Sequence, residues 1–250
     1  MYLQITTKCN MTCAHCCFSC GKNGKHADYN TIIDAIAFVR DIDDGAITIG
    51  GGEPTLHPRF FDILRHCLED FDYVWFATNG SQTKTMFRLS DILDGYDYEN
   101  LDNYYTCSTE EIMNDYDCHP GDIIYQENKL TVALSQDYFH DQIDNKIIEL
   151  WTKKANQHKH SGYEIRDVSR HVIKEGRAKI TGEGFEDGCV CSDIMIKPNG
   201  DLKLCGCLKS PIIGNIYNGI EEKYQGIINN DSGYINTNCY KNINGEKKTL

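Results

Sequence analysis

Three cysteines near the start of the chain have the spacing of a metal-cluster site. Cys9, Cys13 and Cys16 form a CxxxCxxC run directly after a strand-like segment, 2–6. Thiolates this close on one loop suit three corners of a cubane iron–sulfur cluster. Because no fourth cysteine is needed, one iron keeps an open position, which is the general mark of a catalytic metal site. For this run taken alone, structural zinc is the alternative.

Four further cysteines form two CxC pairs, Cys189 with Cys191 and Cys205 with Cys207. They flank two short apolar runs that are joined by a Pro-Asn-Gly-Asp turn at 198–201, and this pattern predicts a β-hairpin. Closely spaced thiols of this kind indicate a second metal site. A zinc knuckle is the alternative to an iron–sulfur cluster there.

Other cysteines lie outside these two groups. Cys17 and Cys20 lie close behind the first loop and are interpreted as bystanders, while Cys239 is a candidate for a further ligand of the second site. Cys67 falls on the apolar face of a predicted helix. Free cysteine packs as a small hydrophobic residue, so Cys67 is predicted to belong to the core.

Charge and cysteine usage limit the classes of protein that fit. The chain has 250 residues, 13 cysteines and a net charge of −12. An acidic chain argues against general binding to nucleic acid or to an anionic membrane surface. No apolar run approaches the roughly 18 residues that span a bilayer, and no signal peptide is visible. We therefore expect a cytoplasmic, oxygen-sensitive protein.

Apolar runs and helical patterns alternate along the chain. Near-continuous apolar runs predict strands buried in a parallel sheet, and these runs are 2–6, 47–49, 73–78, 130–134 and 164–165. Apolar residues at helical spacing predict helices between them, over 32–42, 60–68 and 143–151, with Pro58 in a first-turn position. Alternation of this kind indicates βα units.

The residues with chemical potential follow the predicted strands. The first cysteine loop, the glycines Gly51 and Gly52, Asn79 and the segment 135–137 each come directly after a strand. In parallel α/β folds the chemistry gathers at the carboxyl ends of the strands. We therefore expect one mouth of the fold to collect all four.

Several motifs together resemble the radical S-adenosylmethionine (radical SAM) enzymes. The cysteine loop follows the first strand, a GGEP motif follows the second, and a TNG motif ends the third. Ser135-Gln136-Asp137 ends the fourth, and a late GRA segment resembles members with a C-terminal cluster domain. The motif residues are Gly51-Gly52-Glu53-Pro54, Thr78-Asn79-Gly80 and Gly176-Arg177-Ala178. The resemblance covers roughly residues 1–217.

The resemblance implies a fold and a division of the chain. The fold would be α/β, a partial (β/α)6 TIM-type barrel with a short Cys-rich β-hairpin as a C-terminal extension. The core barrel would span 1–180 with an insertion at 81–128, followed by an auxiliary-cluster region at 181–217 and a polar tail at 218–250. Arg177 is interpreted as binding either a carboxylate or a structural partner.

The resemblance also implies cofactors and their ligands. Cys9, Cys13 and Cys16 would hold a [4Fe-4S] cluster whose open iron binds S-adenosylmethionine, and reductive cleavage would release a 5′-deoxyadenosyl radical that abstracts hydrogen from a substrate. Glu53 would meet the cofactor's ammonium group, and the glycines would allow close backbone approach. The expected cofactor-binding residues are Gly51, Gly52, Glu53, Pro54, Asn79, Ser135, Asp137 and His15.

The second cysteine group is similar to the SPASM and Twitch auxiliary-cluster domains of that family. The segment 213–216, with sequence Ile-Gly-Asn-Ile, resembles the GN motif that follows their cysteines. The resemblance implies an auxiliary [4Fe-4S] cluster, with zinc as the alternative. Its ligands would be Cys189, Cys191, Cys205 and Cys207.

Three classes of function remain open at this point. The first is a radical SAM enzyme that acts on a peptide or protein side chain, supplied with electrons by a partner such as flavodoxin or ferredoxin. The second is the same chemistry on a nucleoside or another small molecule. The third is a non-catalytic iron–sulfur or zinc protein, which would keep the cysteines but would not need the glycine motif after the second strand.

Overall fold

The computed structural model describes residues 1–42, 45–94, 129–157, 162–169, 171–184 and 193–225. Within these ranges nine strands form one sheet. The strands, numbered in chain order, are β1 (Tyr2–Thr6), β2 (Ala46–Gly51), β3 (Tyr73–Thr78), β4 (Leu130–Ser135), β5 (Tyr163–Arg166), β6 (Met195–Ile196), β7 (Asp201–Lys203), β8 (Ile212–Asn215) and β9 (Gly219–Ile220).

The order of the strands combines a parallel core with an antiparallel extension. The sheet runs β5-β4-β3-β2-β1-β6-β7-β8-β9. Neighbours from β5 to β6 pair in parallel, and β6 to β9 pair in antiparallel fashion. The sixth parallel strand lies beside β1 rather than beyond β5, so the extension grows directly from the strand that carries the first cysteine loop.

Six α-helices lie between or after the strands in the described ranges, and the apolar spacing predicts the first, the second and the fourth. They are α1 (Tyr29–Arg40), α2 (Phe60–Asp70), α3 (Thr83–Leu93), α4 (Asn145–Gln157), α5 (Gly176–Thr181) and α6 (Glu222–Gln225). At the start of α1, the carboxylate of Asp28 accepts hydrogen bonds from the backbone N–H groups of Asn30 and Thr31. A carboxylate there satisfies backbone donors that have no partner within the helix.

The core lies between the sheet and the helices. Strand residues such as Ile5, Ile49 and Phe76 are fully buried, as are Ile63 and Trp151 on the helices. The runs of apolar residues on the parallel strands therefore have the burial that a sheet covered by helices requires. The α/β fold class predicted from the sequence is confirmed.

Two predicted features of the connections are wrong in detail. Helix α3 occupies Thr83–Leu93, inside the segment predicted as an insertion over 81–128. Its apolar residues Met86, Leu89 and Ile92 face the core, and the rest of the predicted insertion, 95–128, lies outside the described residues. Helix α2 begins at Phe60 with Arg59 as its N-cap, which places Pro58 before the first turn rather than in it.

The predicted hairpin forms between β6 and β7. The backbone N–H of Lys197 donates to the carbonyl of Asp201 over 2.9 Å, and Gly200 has φ of +82°, a value that favours glycine. Strands β8 and β9 then continue the same sheet. Because β9 and α6 fall within the predicted polar tail, regular structure extends to residue 225, and 226–250 lie outside the described residues.

Crossing a membrane requires a helix that is both long and apolar. None of the helices in the described part of the chain meets that requirement.

The burial of Cys67 generates a first prediction. Cys67 is fully buried on α2, and burial raises the pKa of its thiol. We expect Cys67→Ala to leave the iron bound per chain unchanged and to lower the free energy of unfolding by about 1 kcal/mol, the cost of a small cavity. Iron analysis and denaturant unfolding check this, and a loss of iron would show that Cys67 is a ligand.

Candidate active site

The first cysteine loop leaves β1 and returns to it. The backbone N–H of Cys9 donates to the carbonyl of Gly21 over 3.0 Å, and the N–H of Gly21 donates to the carbonyl of Thr7 over 3.3 Å. Lys8 and Gly21 form an isolated parallel bridge. The loop that carries the three thiols is therefore closed at its base like a small Ω-loop.

The three thiols lie close enough to affect one another electrostatically. Burial raises the pKa of Cys13 to about 12, and the neighbouring Cys9 and Cys16 contribute to this rise. Burial is also the main cause that raises the pKa of Cys9. Gathering three half-buried thiolates is unfavourable without a compensating cation. The residue types and their placement therefore fit an iron–sulfur cluster bound by Cys9, Cys13 and Cys16.

Arg177 holds this loop from a distant part of the chain. Its Nη1 donates to the carbonyl of Cys13 over 2.8 Å, and its Nη2 donates to the carbonyl of Cys20. The backbone N–H of Arg177 donates to the carbonyl of Cys16 over 2.8 Å. From the sequence, Arg177 was interpreted as binding either a carboxylate or a structural partner. In the structure its partners are structural, namely the backbone carbonyls of the cysteine loop.

The residues around Arg177 support the same contact. Gly176 has φ of +57°, and a Cβ at this position would lie 2.1 Å from the carbonyl oxygen of Cys17. Thr181, at the end of α5, donates from Oγ1 to the carbonyl of Ala14 over 3.0 Å. The GRA segment thus packs directly on the backbone of the cysteine loop, which explains why a glycine precedes the arginine.

The glycine motif after β2 also packs against this loop. The N–H groups of Gly52 and Glu53 donate to the carbonyls of Thr6 and Lys8, each over 2.9 Å. A Cβ on Gly51, whose φ is +140°, would lie 2.0 Å from the Thr6 oxygen, and one on Gly52 would lie 2.2 Å from the Lys8 oxygen. Gly51 and Gly52 are therefore needed for close contact with the chain's own backbone, whether or not a ligand is bound.

The side chain of Glu53 does not face the mouth, which corrects the role expected from the sequence. It is 1% exposed and accepts hydrogen bonds from Thr55 N and Oγ1, Thr78 Oγ1 and Asn79 N. Burial raises the pKa of Glu53, and these donors counteract that effect. The carboxylate fastens the GGEP turn to the end of β3 and is buried there, away from the mouth.

Asn79 turns its amide toward the cysteine loop. Its Nδ2 donates to Asn10 Oδ1 over 3.0 Å and lies 3.8 Å from the Sγ of Cys9. Asn10 in turn donates from Nδ2 to Ser81 Oγ over 2.8 Å. The TNG segment therefore contacts the thiol of Cys9. The sequence motifs do not identify Asn10 or Ser81, although Asn10 follows Cys9 directly.

A polar and aromatic group forms where β4 ends. Asp137 Oδ1 accepts hydrogen bonds from His140 Nδ1 over 2.7 Å and from the N–H of Phe139 over 3.0 Å. The His15 ring lies 4.5 Å from the Phe139 ring and 5.1 Å from the His140 ring, between centroids. The structure thus brings the predicted residues His15 and Asp137 together. The sequence signal that points to Phe139 and His140 is their position just after the end of a predicted strand.

Charge in this group is concentrated on Asp137. Burial is the largest single effect and opposes ionisation of the carboxyl, but His140, the N–H of Phe139 and His15 together lower the pKa of Asp137. Burial lowers the pKa of His15 to about 4, against the opposing effect of Asp137. At neutral pH Asp137 is therefore a carboxylate, and the imidazole of His15 is uncharged.

Some polar atoms of this group have no protein partner within the described ranges. His15 Nδ1, Gln136 Oε1 and Asp137 Oδ2 are buried without a hydrogen bond there. One ligating atom from each of His15, Asp137 and His140 lies within 4.8 Å of the others. Buried polar atoms normally find partners, so these atoms beside the cysteine loop are suited to a polar ligand.

The other predicted cofactor residues lie at the same edge of the sheet. Ser135 is the last residue of β4 and pairs in register with Arg166. Pro54 is buried and begins a short 3-10 helix, Pro54–Leu56. The carboxyl ends of β1 to β4 thus meet around the cysteine loop, as the sequence predicts. The contact of Ser135 or Pro54 with a cofactor stays a prediction.

The second cysteine group is described in part. Cys205 and Cys207 are buried in the turn after β7, while Cys189 and Cys191 lie outside the described residues. Hydrogen bonding from Cys207 is the main cause that lowers the pKa of Cys205 to about 6. Lys203 Nζ donates to the carbonyl of Cys207 over 2.6 Å. A lowered pKa favours the thiolate, which is the form that binds metal ions.

The two cysteine groups are connected by neighbouring residues. Glu175 Oε2 accepts a hydrogen bond from the backbone N–H of Leu208 over 3.4 Å, just after Cys207. Two residues on, Arg177 holds the first cysteine loop. The segment that leads into α5 therefore contacts both groups within three residues.

Comparison with known proteins finds similarity to one family. Residues 3–110 match the family model of the Radical SAM superfamily. The chain is 24% identical to the antilisterial bacteriocin subtilosin biosynthesis protein AlbA of Bacillus subtilis, over 90% of this chain and 58% of that protein. It is 32% identical to mycofactocin maturase MftC of Mycobacterium tuberculosis, over 31% of this chain and 20% of that protein.

The chain spans less than two thirds of the length of these curated relatives. Among solved structures it is similar to BtrN in complex with AdoMet and 2-DOIA, with a TM-score of 0.54, 15% identity and coverage of 92% and 81% of the two chains. A structure of anSMEcpe with bound AdoMet gives a TM-score of 0.50 at 15% identity, over 90% and 79%. The fold is therefore similar to that of these two solved structures, and residues 3–110 match the Radical SAM superfamily.

The clamp by Arg177 generates a second prediction. Arg177→Lys keeps the charge but cannot reach the carbonyls of Cys13 and Cys20 together, and each lost charged hydrogen bond costs about 1.5–3 kcal/mol. We expect less iron bound per chain after anaerobic reconstitution and faster amide exchange in the loop. Lys179→Ala, an exposed position on the same helix, is the control, and equal iron in both variants would contradict the clamp.

The corrected role of Glu53 generates a third prediction. Each carboxylate oxygen accepts a backbone N–H, so the amide nitrogen of Glu53→Gln faces a donor in either orientation. We expect a loss of about 1–3 kcal/mol in unfolding free energy, measured with denaturant. Glu69→Gln, with a side chain 43% exposed, should change little. If Glu53→Gln left stability intact and weakened only cofactor binding, the expectation from the sequence would be restored.

Proposed function

We propose that this radical SAM chain cleaves S-adenosylmethionine reductively and directs the resulting radical to a peptide or protein side chain. The observation that carries the proposal is the clustering of Cys9, Cys13 and Cys16 on one clamped loop beside the unpartnered polar atoms of His15 and Asp137. The thiols would bind the metal, and the polar atoms beside them would bind its cofactor.

The three thiols would bind the metal cluster, and the fold holds them in place. When bound, a [4Fe-4S] cluster supplies the electron for cleavage and an open iron for the methionine group. The chain's own task is to hold Cys9, Cys13 and Cys16 at fixed positions, which Arg177 and the Gly52 and Glu53 backbone groups support. A partner of the flavodoxin or ferredoxin class would supply the electron, in the reducing cytoplasm.

The group formed by His15, Asp137 and Phe139 would bind the rest of the cofactor. His15, with its uncharged ring against Phe139, offers a stacking surface and a free Nδ1, while Asp137 offers a free Oδ2. A planar base and a ribose hydroxyl match these two groups. Gly51, Gly52 and Pro54 would contribute backbone surface at the methionine end, and Asn79 would act through the cysteine loop.

The C-terminal cysteines are proposed to bind an auxiliary [4Fe-4S] cluster. The thiolate character of Cys205 and its burial with Cys207 support a metal ligand pair, and Cys189 and Cys191 would complete the set. Zinc has the same preference for thiolates. Iron analysis separates the metals, since about eight irons per chain correspond to two clusters and about four to one.

The peptide class of substrate rests on the relatives. One relative, which aligns with 90% of this chain, is a biosynthesis protein for the bacteriocin subtilosin. Another is a mycofactocin maturase. A size and protease test separates a peptide from a small molecule. We expect cell-extract fractions larger than about 3 kDa to stimulate 5′-deoxyadenosine formation and to lose this effect after protease treatment. Stimulation by the small fraction alone would favour a nucleoside or another small molecule.

A variant of the central cysteine provides a fourth prediction. Cys13→Ala removes one ligand, and we expect it to abolish 5′-deoxyadenosine formation with dithionite and S-adenosylmethionine. Circular dichroism should show that the variant stays folded, because Cys13 is half-buried and outside the core. Cys67→Ala is the matched control and should form the product normally. Retained cleavage by Cys13→Ala would overturn the assignment of the cluster.

A further inference from the structure

The turn that carries Cys205 and Cys207 is held by a buried lysine. Lys203, the last residue of β7, is 8% exposed, and its Nζ donates to the carbonyls of Cys207 over 2.6 Å and of Leu208 over 3.3 Å. Lysine is almost never buried unless its charge and its donors find partners. We propose that Lys203 is a positioning residue, which holds this turn in the arrangement in which its two thiols bind a metal.

Ser210 secures the same turn from its other end. The backbone N–H of Ser210 donates to the carbonyl of Cys207 over 3.0 Å, and its Oγ accepts the N–H of Cys205 over 3.0 Å. The carbonyl of Cys207 therefore accepts hydrogen bonds from both Lys203 and Ser210, one for each of its lone pairs. The backbone at both cysteines is thus fixed by side chains or N–H groups from outside the Cys-Gly-Cys segment.

Lys203 reaches the turn from the sheet. It pairs in register with Met195 of β6 on one side and with Ile212 of β8 on the other. Strand β6 pairs in turn with β1, the strand that leads into the first cysteine loop. The backbone of Lys203 is therefore fixed by neighbours on both sides, and a fixed support of this kind is what orients a metal ligand.

The charge of Lys203 suits a metal bound by thiolates. Carbonyl groups satisfy the donors of a buried ammonium group but do not neutralise its charge. Thiolate ligands bring negative charge to a metal site, and the ammonium group is hydrogen-bonded to the backbone of one predicted ligand, Cys207. A fixed positive charge there stabilises the more negative, reduced form of a cluster and so raises its reduction potential.

Lys209 provides a matched control on the same turn. It follows Cys207 by two residues and carries the same kind of side chain as Lys203, but it is exposed. Exposed charges contribute little to stability and are screened by solvent. Removal of Lys209 therefore changes the net charge of the turn without removing a buried support.

This inference rests on the proposed function, because it needs a metal at the second cysteine pair. The test uses the whole chain with Cys13→Ala as the parent, so that only the second site holds metal after anaerobic reconstitution with iron and sulfide. Lys203→Met, Lys203→Arg and Lys209→Met are compared in this parent. Bound metal is identified as iron or zinc, its release to an excess of chelator is timed, and a redox titration followed by EPR gives the midpoint potential of an iron cluster.

We expect Lys203→Met to release its metal about tenfold faster than the parent, the effect of losing a charged hydrogen bond, and to give a cluster with a more negative midpoint potential. Lys203→Arg, which keeps the charge and the donors, should restore most of both properties, and Lys209→Met should match the parent. Should Lys203→Met fail to fold, Lys203→Gln keeps a shorter, uncharged donor and is expected to show the same two changes to a smaller extent.

Two results would overturn the role of Lys203. One is equal release of metal from Lys203→Met and Lys209→Met. The other is faster release that Lys203→Arg does not restore, because the lysine would then only fill space. Failure of the auxiliary cluster has a different signature in the parent itself. Zinc in place of iron would refute the cluster, and its release would test Lys203 in the same way, whereas a parent without metal would overturn both proposals.

Discussion

Three thiols held within electrostatic reach of one another in a half-buried loop are the constraint on which the rest of this structure depends. Burial is the main cause that raises the pKa of Cys13 and Cys9, so the thiolate forms are disfavoured unless a cation compensates their charge. The fold fixes the backbone of this loop from several directions. The guanidinium of Arg177, two N–H groups of the GGEP turn and the amide of Asn79 all converge on it.

These supports come from distant parts of the chain. The turn after β2 reaches the loop directly, the end of β3 reaches it through Asn79, and α5 reaches it through Arg177. The buried carboxylate of Glu53 binds the first two supports to each other. Consequently the parallel sheet brings these supports together, and Glu53 and Gly176 help to hold the loop in place.

The sequence predicts the strands, the cysteine loop and the common mouth because apolar runs and motif order are local signals. It gives the wrong direction for Glu53, since the orientation of that side chain depends on donors from Thr55, Thr78 and Asn79 that only the folded chain brings together. It misses α3 because a mostly polar stretch conceals the apolar face of Met86, Leu89 and Ile92. The partners of Arg177 are more than 150 residues away, beyond any pattern in the sequence.

The central claim is that the loop holds a cluster with one iron open to S-adenosylmethionine. The most direct measurement is the EPR and ENDOR spectrum of the reduced, reconstituted protein with and without S-adenosylmethionine labelled at its amino nitrogen. We expect the cofactor to change the cluster signal and the labelled nitrogen to couple to it. An unchanged signal without coupling would contradict the claim, because it would mean that all four irons are already closed.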